Sequence, residues 1–153
     1  MSRTIAIAND HGGVEMKNEL KKRLEAQGHT VINVGTDTTG AVDYPDMAEL
    51  GCREVLEGRA EFAILICGTG IGISIAANKI DGIRAALCAD TFSARMSKEH
   101  NDANAIAFGA RTTGIELVWE MVQAYMRSEF QHAQHTARVD KINTLSHRYC
   151  CRS

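Results

Sequence analysis

Residues 62–72 read FAILICGTGIG: five apolar residues run into Cys67, and glycine then fills positions 68, 70 and 72. A strand that ends in a thiol and passes into a glycine loop opening a helix sets sulfur beside backbone N–H groups with no intrahelical partners. Such donors favour negative charge, so the place suits a thiolate acting as base or nucleophile and an oxyanion formed next to it. The alternating glycines keep side chains out of the way. Removal of a proton beside a carbonyl uses both features at once, with sulfur taking the proton and amides sheltering the oxygen.

Narrower readings of the loop fail at one position. A dinucleotide fingerprint counted from Gly68 needs a third glycine where Ile73 stands, and the loop follows the third strand-like run instead of the first. A phosphatase-type cysteine loop would need arginine at that same position, and GxxxxGK[ST] is absent. A plainer reading stays open, in which the glycines ease helix-on-strand packing and Cys67 is a small buried hydrophobe.

Other reactive residue types recur where strand-like runs end. The first run is followed by Asn9-Asp10-His11 and the fifth by Phe108-Gly109-Ala110-Arg111. In an open α/β sheet ligands bind beyond the carboxyl ends of the strands, so an acid, an imidazole, a thiol and a guanidinium are expected on one edge. Glu99-His100-Asn101-Asp102, close to the fifth strand in sequence, are expected to add to them. Each has a structural alternative: Asp10 as a helix cap, His11 and His100 as surface or core histidines, Arg111 as a partner of an acid, Arg138 as a solvated charge.

The elements that must hold these residues follow from periodicity. Strands are expected over 3–8, 30–34, 62–66, 83–87 and 104–107, and helices over 14–27, 43–58, 70–79, 91–100, 113–128 and 135–147. Pro45 stands near the first position of the second helix, where its missing N–H costs nothing. Apolar strands each followed by a helix call for a five-stranded parallel sheet covered on both faces: a Rossmann-like, three-layer α/β/α fold. One sizeable core fits 153 residues, and a single proline with no Gly/Ser-rich spacer argues for one domain over 1–153. A formal charge of -2 gives no global attraction for nucleic acid or acidic lipid. The stretch MSRTIAIAND has no leader pattern, no long uncharged apolar run occurs, and five cysteines fit neither a zinc site nor a disulfide framework. A cytoplasmic protein with reduced thiols, no metal and no membrane partner is the expectation.

Six blocks in order, ANDHGG, DYPD at 43–46, ILICGTGIGISIAANK at 64–79, GIRAAL, HNDAN and AFGAR at 107–111, resemble type B ribose-5-phosphate isomerase, whose wider family includes isomerases of galactose 6-phosphate and of four-carbon sugar phosphates. The resemblance implies a cofactor-free isomerase of the pentose phosphate pathway, interconverting ribose 5-phosphate and ribulose 5-phosphate through a cis-enediolate. It implies Cys67 as the proton carrier, with Thr69 and the amides of Gly68, Gly70, Ile71 and Gly72 on the enediolate oxygens. Asp10 would bind sugar hydroxyls, His11 would help at the substrate's polar or phosphate end, His100 would open the furanose ring, and Asn101 would orient the sugar; Tyr44, placed before Pro45, is a candidate either to line the site and contact substrate or to anchor the turn. Arg111 and Arg138 would grip the phosphate. Where some relatives carry a further arginine this chain has Gln134, so either a weaker phosphate clamp or a contribution from His135 or His132 is expected. The resemblance also implies a homodimer or homotetramer whose C-terminal helix reaches a partner subunit, with His100, Asn101 and the C-terminal arginines completing the partner's site. Against it stands a non-catalytic nucleotide-binding module with Asp90 as a ribose-binding acid about 20 residues past the loop.

Overall fold

The computed structural model describes residues 1–150. Cys151 and the side chain of Cys150, to which the sequence gives no role, lie outside the described residues.

Period-two alternation sorts the three central strands. β1 (Thr4–Asn9), β3 (Phe62–Cys67) and β5 (Ala105–Gly109) are buried along nearly their whole length. Ile5, Ile7, Phe62, Ile64, Ile66, Ile106 and Phe108 face one way. Ala6, Ala8, Ala63, Leu65, Cys67, Ala105 and Ala107 face the other. Successive strand residues point to opposite faces, so one flank of the sheet is bulky and the other nearly all alanine. β2 (Thr30–Asn33) and β4 (Ala85–Leu87) are shorter and only partly buried, as edge strands are.

All five strands pair in parallel, in the order β2-β1-β3-β5-β4. α1 (Val14–Ala26), α4 (Thr91–Asn101) and α5 (Ile115–Met126) cover the bulky flank through Leu20, Leu24, Ala94, Val118 and Met121. α2 (Tyr44–Leu56) and α3 (Ile71–Ala77) cover the alanine flank through Ala48, Cys52, Ile73 and Ala77. The small residues bring α2 very close: a Cβ on Gly51 would lie 2.9 Å from Leu65 Cδ2 and 3.1 Å from Ala8 Cβ. The expected three-layer architecture is therefore present. What residue pattern does not give is that β5 lies inside β4, with α3 crossing on one flank and α4 returning on the other.

The element ends shift for local reasons. The expected strand 83–87 starts at Ala85, because the Ile83 amide closes a turn onto the Ile80 carbonyl and Asn104 Oδ1 takes the Arg84 N–H. The last helix, expected over 135–147, runs His132–Cys150 as α6 and bends at Ala133, where φ is 24°. It lies along α4 of its own chain. The Gln131 amide donates to the Glu99 carbonyl at 2.8 Å, and Arg84 reaches Asn143 Oδ1 at 3.3 Å.

Candidate active site

Cys67 closes β3 on the alanine flank, two residues beyond Leu65, which puts its side chain under the start of α3. It is 4 % exposed, and its Sγ accepts the Gly70 N–H at 3.1 Å. That bond needs the chain to double back at Gly70, where φ is +75° and a Cβ would come within 2.7 Å of the Phe108 carbonyl carbon and 3.0 Å of the Gly109 nitrogen. Only glycine fits there. Thr69 Oγ1 accepts the Ile71 N–H at 3.3 Å, and the hydroxyl side of the loop is exposed. Among the described residues the amides of Gly68, Thr69 and Gly72 have no acceptor. The loop thus holds one N–H on sulfur and leaves three others free for an incoming oxygen.

The end of β5 wraps this loop. Ala110 and Arg111 donate their amides to the carbonyls of Cys67 and Gly68, each at 2.9 Å. The Arg111 side chain then runs along Gly68, where a Cβ would meet its Cδ at 3.6 Å and its Nε at 3.7 Å. No carboxylate pairs with Arg111 among the described residues, so the reading of it as half of an ion pair falls away.

β1 delivers the next pair. The Asp10 amide donates to the Ile66 carbonyl at 3.1 Å, and Asp10 Oδ1 accepts the Gly12 N–H at 2.9 Å, capping the 3-10 turn His11–Gly13. Capping and proximity coexist: a Cβ on Gly12 would sit 3.6 Å from the Gly68 nitrogen. His11 is exposed, and its Nδ1 accepts the Val42 N–H at 3.4 Å. The Tyr44 ring lies on Gly72, leaving 2.7 Å between its Cζ and any Cβ placed there. A cleft of about 590 Å³ opens beside this corner, lined by His11, Gly12, Thr39, Ala110 and Thr113 among others. Cys67 is not on that lining; it lies beneath the adjoining loop.

The remaining expected residues stand at the other edge of the sheet. α4 runs antiparallel to the strands, so His100 and Asn101 at its end return to the edge where β5 begins, and the Asn104 carbonyl there accepts from Ala63 near the start of β3. The length of β3 alone separates the two edges by about 16 Å. Nearness to β5 in sequence therefore does not bring Glu99-His100-Asn101-Asp102 to the thiol of the same chain, which corrects that expectation. At this second edge the rings of His100 and His135 stack, and Gln134 Nε2 approaches His135 Nε2 at 3.5 Å. His135 is 7 % exposed; burial first, and then His100 and Arg138, hold its pKa below the usual imidazole value. His132 packs edge-on against Phe130.

Asp90 is committed elsewhere. Its two carboxylate oxygens accept the Ser93 N–H and the Ser93 hydroxyl, each at 2.7 Å, as the cap of α4, so it is not poised for a ribose. Burial pushes the Cys52 thiol up to about 12 and Cys88 up to about 11, so both stay protonated packing residues. Among the described residues no His, Cys, Asp and Glu side chains are grouped to hold a metal ion, and no helix is long and apolar enough to cross a membrane. The sequence reading missed two residues at the carboxyl edge. Asn9 is fully buried, its Nδ2 bonded to the carbonyls of Asp10 and Thr36 and its Oδ1 without a partner among the described residues. Lys17 is also fully buried, and its signal was present: it shares a helical stripe with Gly13, Leu20 and Leu24.

Comparison with known proteins places this architecture. The chain is 42% identical over 144 residues to ribose-5-phosphate isomerase B of Escherichia coli, across 94% of this chain and 97% of that protein. It is 40% identical over 145 residues to D-erythrulose-4-phosphate isomerase of Pectobacterium atrosepticum, across 94% and 95%. The solved structure of Clostridium thermocellum ribose-5-phosphate isomerase B superposes with a TM-score of 0.94 at 45% identity, covering 95% of this chain and 99% of that one. The sequence profile of the Ribose/Galactose Isomerase family matches residues 5–142. Matched over nearly its whole length in sequence and in fold, the chain belongs to the ribose/galactose isomerase family of sugar phosphate isomerases.

Proposed function

We propose that the chain interconverts ribose 5-phosphate and ribulose 5-phosphate through a cis-enediolate. The observation that carries this reading is the thiol of Cys67, held by the Gly70 N–H at 3.1 Å, in a loop whose amides at Gly68, Thr69 and Gly72 lack acceptors among the described residues. As thiolate, Cys67 takes the proton from C2 of the open-chain aldose. The C–H electron pair becomes the C1–C2 double bond, and the carbonyl pair moves onto O1, where the free amides and Thr69 shelter it. The O2 proton passes to O1, the thiol returns its proton to C1, and the carbonyl is left at C2. Electrons move only within the sugar, so the reaction as proposed uses no cofactor.

The surrounding residues take roles by position. Asp10 meets the sugar hydroxyls, His11 and Tyr44 bound the substrate, Ile71 lends its amide to the loop, and Arg111 offers an unpaired guanidinium to the phosphate. His100, Asn101, His135 and Arg138 sit at the opposite edge of their own chain. We therefore assign them to the site of a second copy, with His100 opening the furanose and Arg138 joining the phosphate grip. A homo-oligomer with shared sites, working in the cytoplasm on a small sugar phosphate, is the proposed working form.

The test is direct. Purified protein incubated with ribose 5-phosphate should produce ketose, faster than it turns over allose 6-phosphate, galactose 6-phosphate or erythrose 4-phosphate. A higher specificity for one of the others would replace the substrate while leaving the chemistry at Cys67 in place.

A further inference from the structure

Lys17 takes no part in the chemistry described above, yet it is one of the largest side chains with no exposure at all. A lysine almost never goes fully inside unless it is paired, and burying its charge is costly enough that an apolar residue of the same size often does as well for stability. What its Nζ touches is informative. It donates to the Thr36 carbonyl at 3.0 Å and pairs with the Asp37 carboxylate. Asn9, equally buried, donates to the same Thr36 carbonyl at 3.1 Å while also holding the Asp10 carbonyl at 2.8 Å. Two buried donors thus converge on one carbonyl oxygen, which has a lone pair for each.

Those donors come from the two elements that frame the acid–imidazole corner. Asn9 immediately precedes Asp10, and Lys17 stands one turn into the helix that starts behind His11. Asp37 is further fixed by Asn33 Nδ2 at 2.9 Å, and the Thr36 amide donates to the Asn9 carbonyl at 3.3 Å. Backbone approach at this point is so close that a Cβ on Gly35 would fall 2.6 Å from the Asn9 nitrogen. The segment leaving this anchor is exposed over residues 38–41 and touches the site three times. Thr39 lines the cleft, the Val42 N–H donates to His11 Nδ1, and Tyr44 covers Gly72. Because Val42 donates, Nδ1 is the acceptor and the neutral ring carries its proton on Nε2, leaving an N–H to present to substrate.

We propose that Lys17 is a positioning residue: by fixing the Thr36 carbonyl against Asn9, it sets the 36–44 segment at the height that lets Val42 choose the tautomer of His11. Its influence on substrate rests on the reading of the carboxyl edge as the sugar phosphate site; its influence on His11 does not. Methionine at this position keeps the buried volume and leaves Asn9 on Thr36, so the fold is retained while the segment is free to shift.

The experiment uses the full-length protein with 15N-labelled histidine. In Lys17→Met, the His11 ring nitrogens should move from the Nε2–H pattern toward a tautomer mixture. KM for whichever sugar phosphate the wild type isomerises should rise about tenfold, with kcat held within about twofold, since the thiol loop is anchored separately. A second variant with two glycines inserted after Gly40 leaves the lysine untouched but uncouples Val42 from Thr36, and should give the same His11 pattern and the same KM change. If Lys17→Met melts lower yet keeps both the Nε2–H pattern and KM, the lysine is structural only and the proposal is overturned. If Lys17→Met does not fold, an insertion variant indistinguishable from wild type overturns it equally. Should the wild type isomerise no sugar phosphate, the functional reading fails and the nitrogen spectra alone decide the positioning role.

Discussion

The imidazole rings of His100 and His135 lie face to face, with centroids 4.1 Å apart and planes 11° from parallel. One ring ends α4 and the other opens the straight part of α6, so this stack is a clasp between the body of the chain and its C-terminal helix. Charge on either ring works against it. Burial, His100 and Arg138 all disfavour the protonated form of His135, so its folded pKa lies below its unfolded one. The contribution to stability is then complete above the ordinary imidazole value and is lost as the pH falls below about 6.5 toward the folded pKa. The protection factors of α6 amides, which discount the intrinsic slowing of exchange in acid, should fall between neutral pH and mild acid. His135→Phe, which keeps an aromatic face without the proton, should flatten that dependence.

Replacing the thiol tests the proton carrier. Cys67→Ala should lower kcat by about 10²- to 10⁴-fold, the usual share of a positioned acid–base group, while KM stays within about threefold. Cys52→Ala and Cys88→Ala should leave turnover at the wild-type rate, because Cys52 is packed inside α2 and Cys88, although it follows β4, is buried in the flank of the sheet opposite Cys67. Steady-state assays of the three variants, with circular dichroism to show that each folds, make the comparison.

Loop geometry predicts a stability effect independent of chemistry. Gly70→Ala puts a Cβ against the Phe108 and Gly109 backbone at a φ of +75°. Left-handed strain of about 1–2 kcal/mol adds to overpacking of about 1–3 kcal/mol, neither relieved by rotating a side chain. The melting temperature should drop by more than about 5 °C. Gly58→Ala, also at positive φ but with open space around it, should cost only the backbone strain.

Arg111 should read out as phosphate affinity. With no carboxylate on it among the described residues, removing the guanidinium leaves no orphaned acid behind, so Arg111→Ala should fold normally. Losing a charge-assisted bond worth about 1.5–3 kcal/mol should raise KM about 10- to 100-fold with a smaller change in kcat. Arg111→Lys should recover only part of this, since an ammonium cannot make the forked contact.

Shared sites have an arithmetical signature. Inactive Cys67→Ala and inactive His100→Ala chains, unfolded together and refolded in equal amounts, should regain about a quarter of wild-type activity if the pairs form at random, half being mixed and each mixed pair holding one intact site. No recovery, with mixed pairs shown by mass spectrometry, would remove the second-copy assignment.

How much of this could be read from residues alone depends on whether the signal was local. Cys67 with its glycines, Asp10 at the end of an apolar run, and the alternation of Ile and Ala along β1 are local, and they placed the layers and most of the carboxyl edge. The strand order was not legible, because β4 and β5 are both short apolar runs and nothing in either says which lies inside. That same gap misplaced His100: a residue a few positions from β5 looked near its end, whereas a helix antiparallel to the sheet returns its C-terminus to the starting edge. Lys17 was visible as a charge on an apolar stripe, but its partner Asp37 lies in a segment without periodicity, so the contact could not be paired by pattern. The bend at Ala133 has no sequence mark at all, alanine being the strongest helix former.

The lopsided sheet has a consequence for tolerance to change. On its alanine flank a helix can settle almost onto the strands, and there alone can a peptide N–H drop far enough to touch a strand's sulfur. Enlarging Ala105 or Ala107 by even one or two carbons would wedge α3 outward, so the 3.1 Å contact at the thiol would be lost together with about 1–3 kcal/mol of stability. Added bulk on the thin side should thus read as a lesion of reactivity as well as of fold, whereas on the thick side it should register as loss of fold alone.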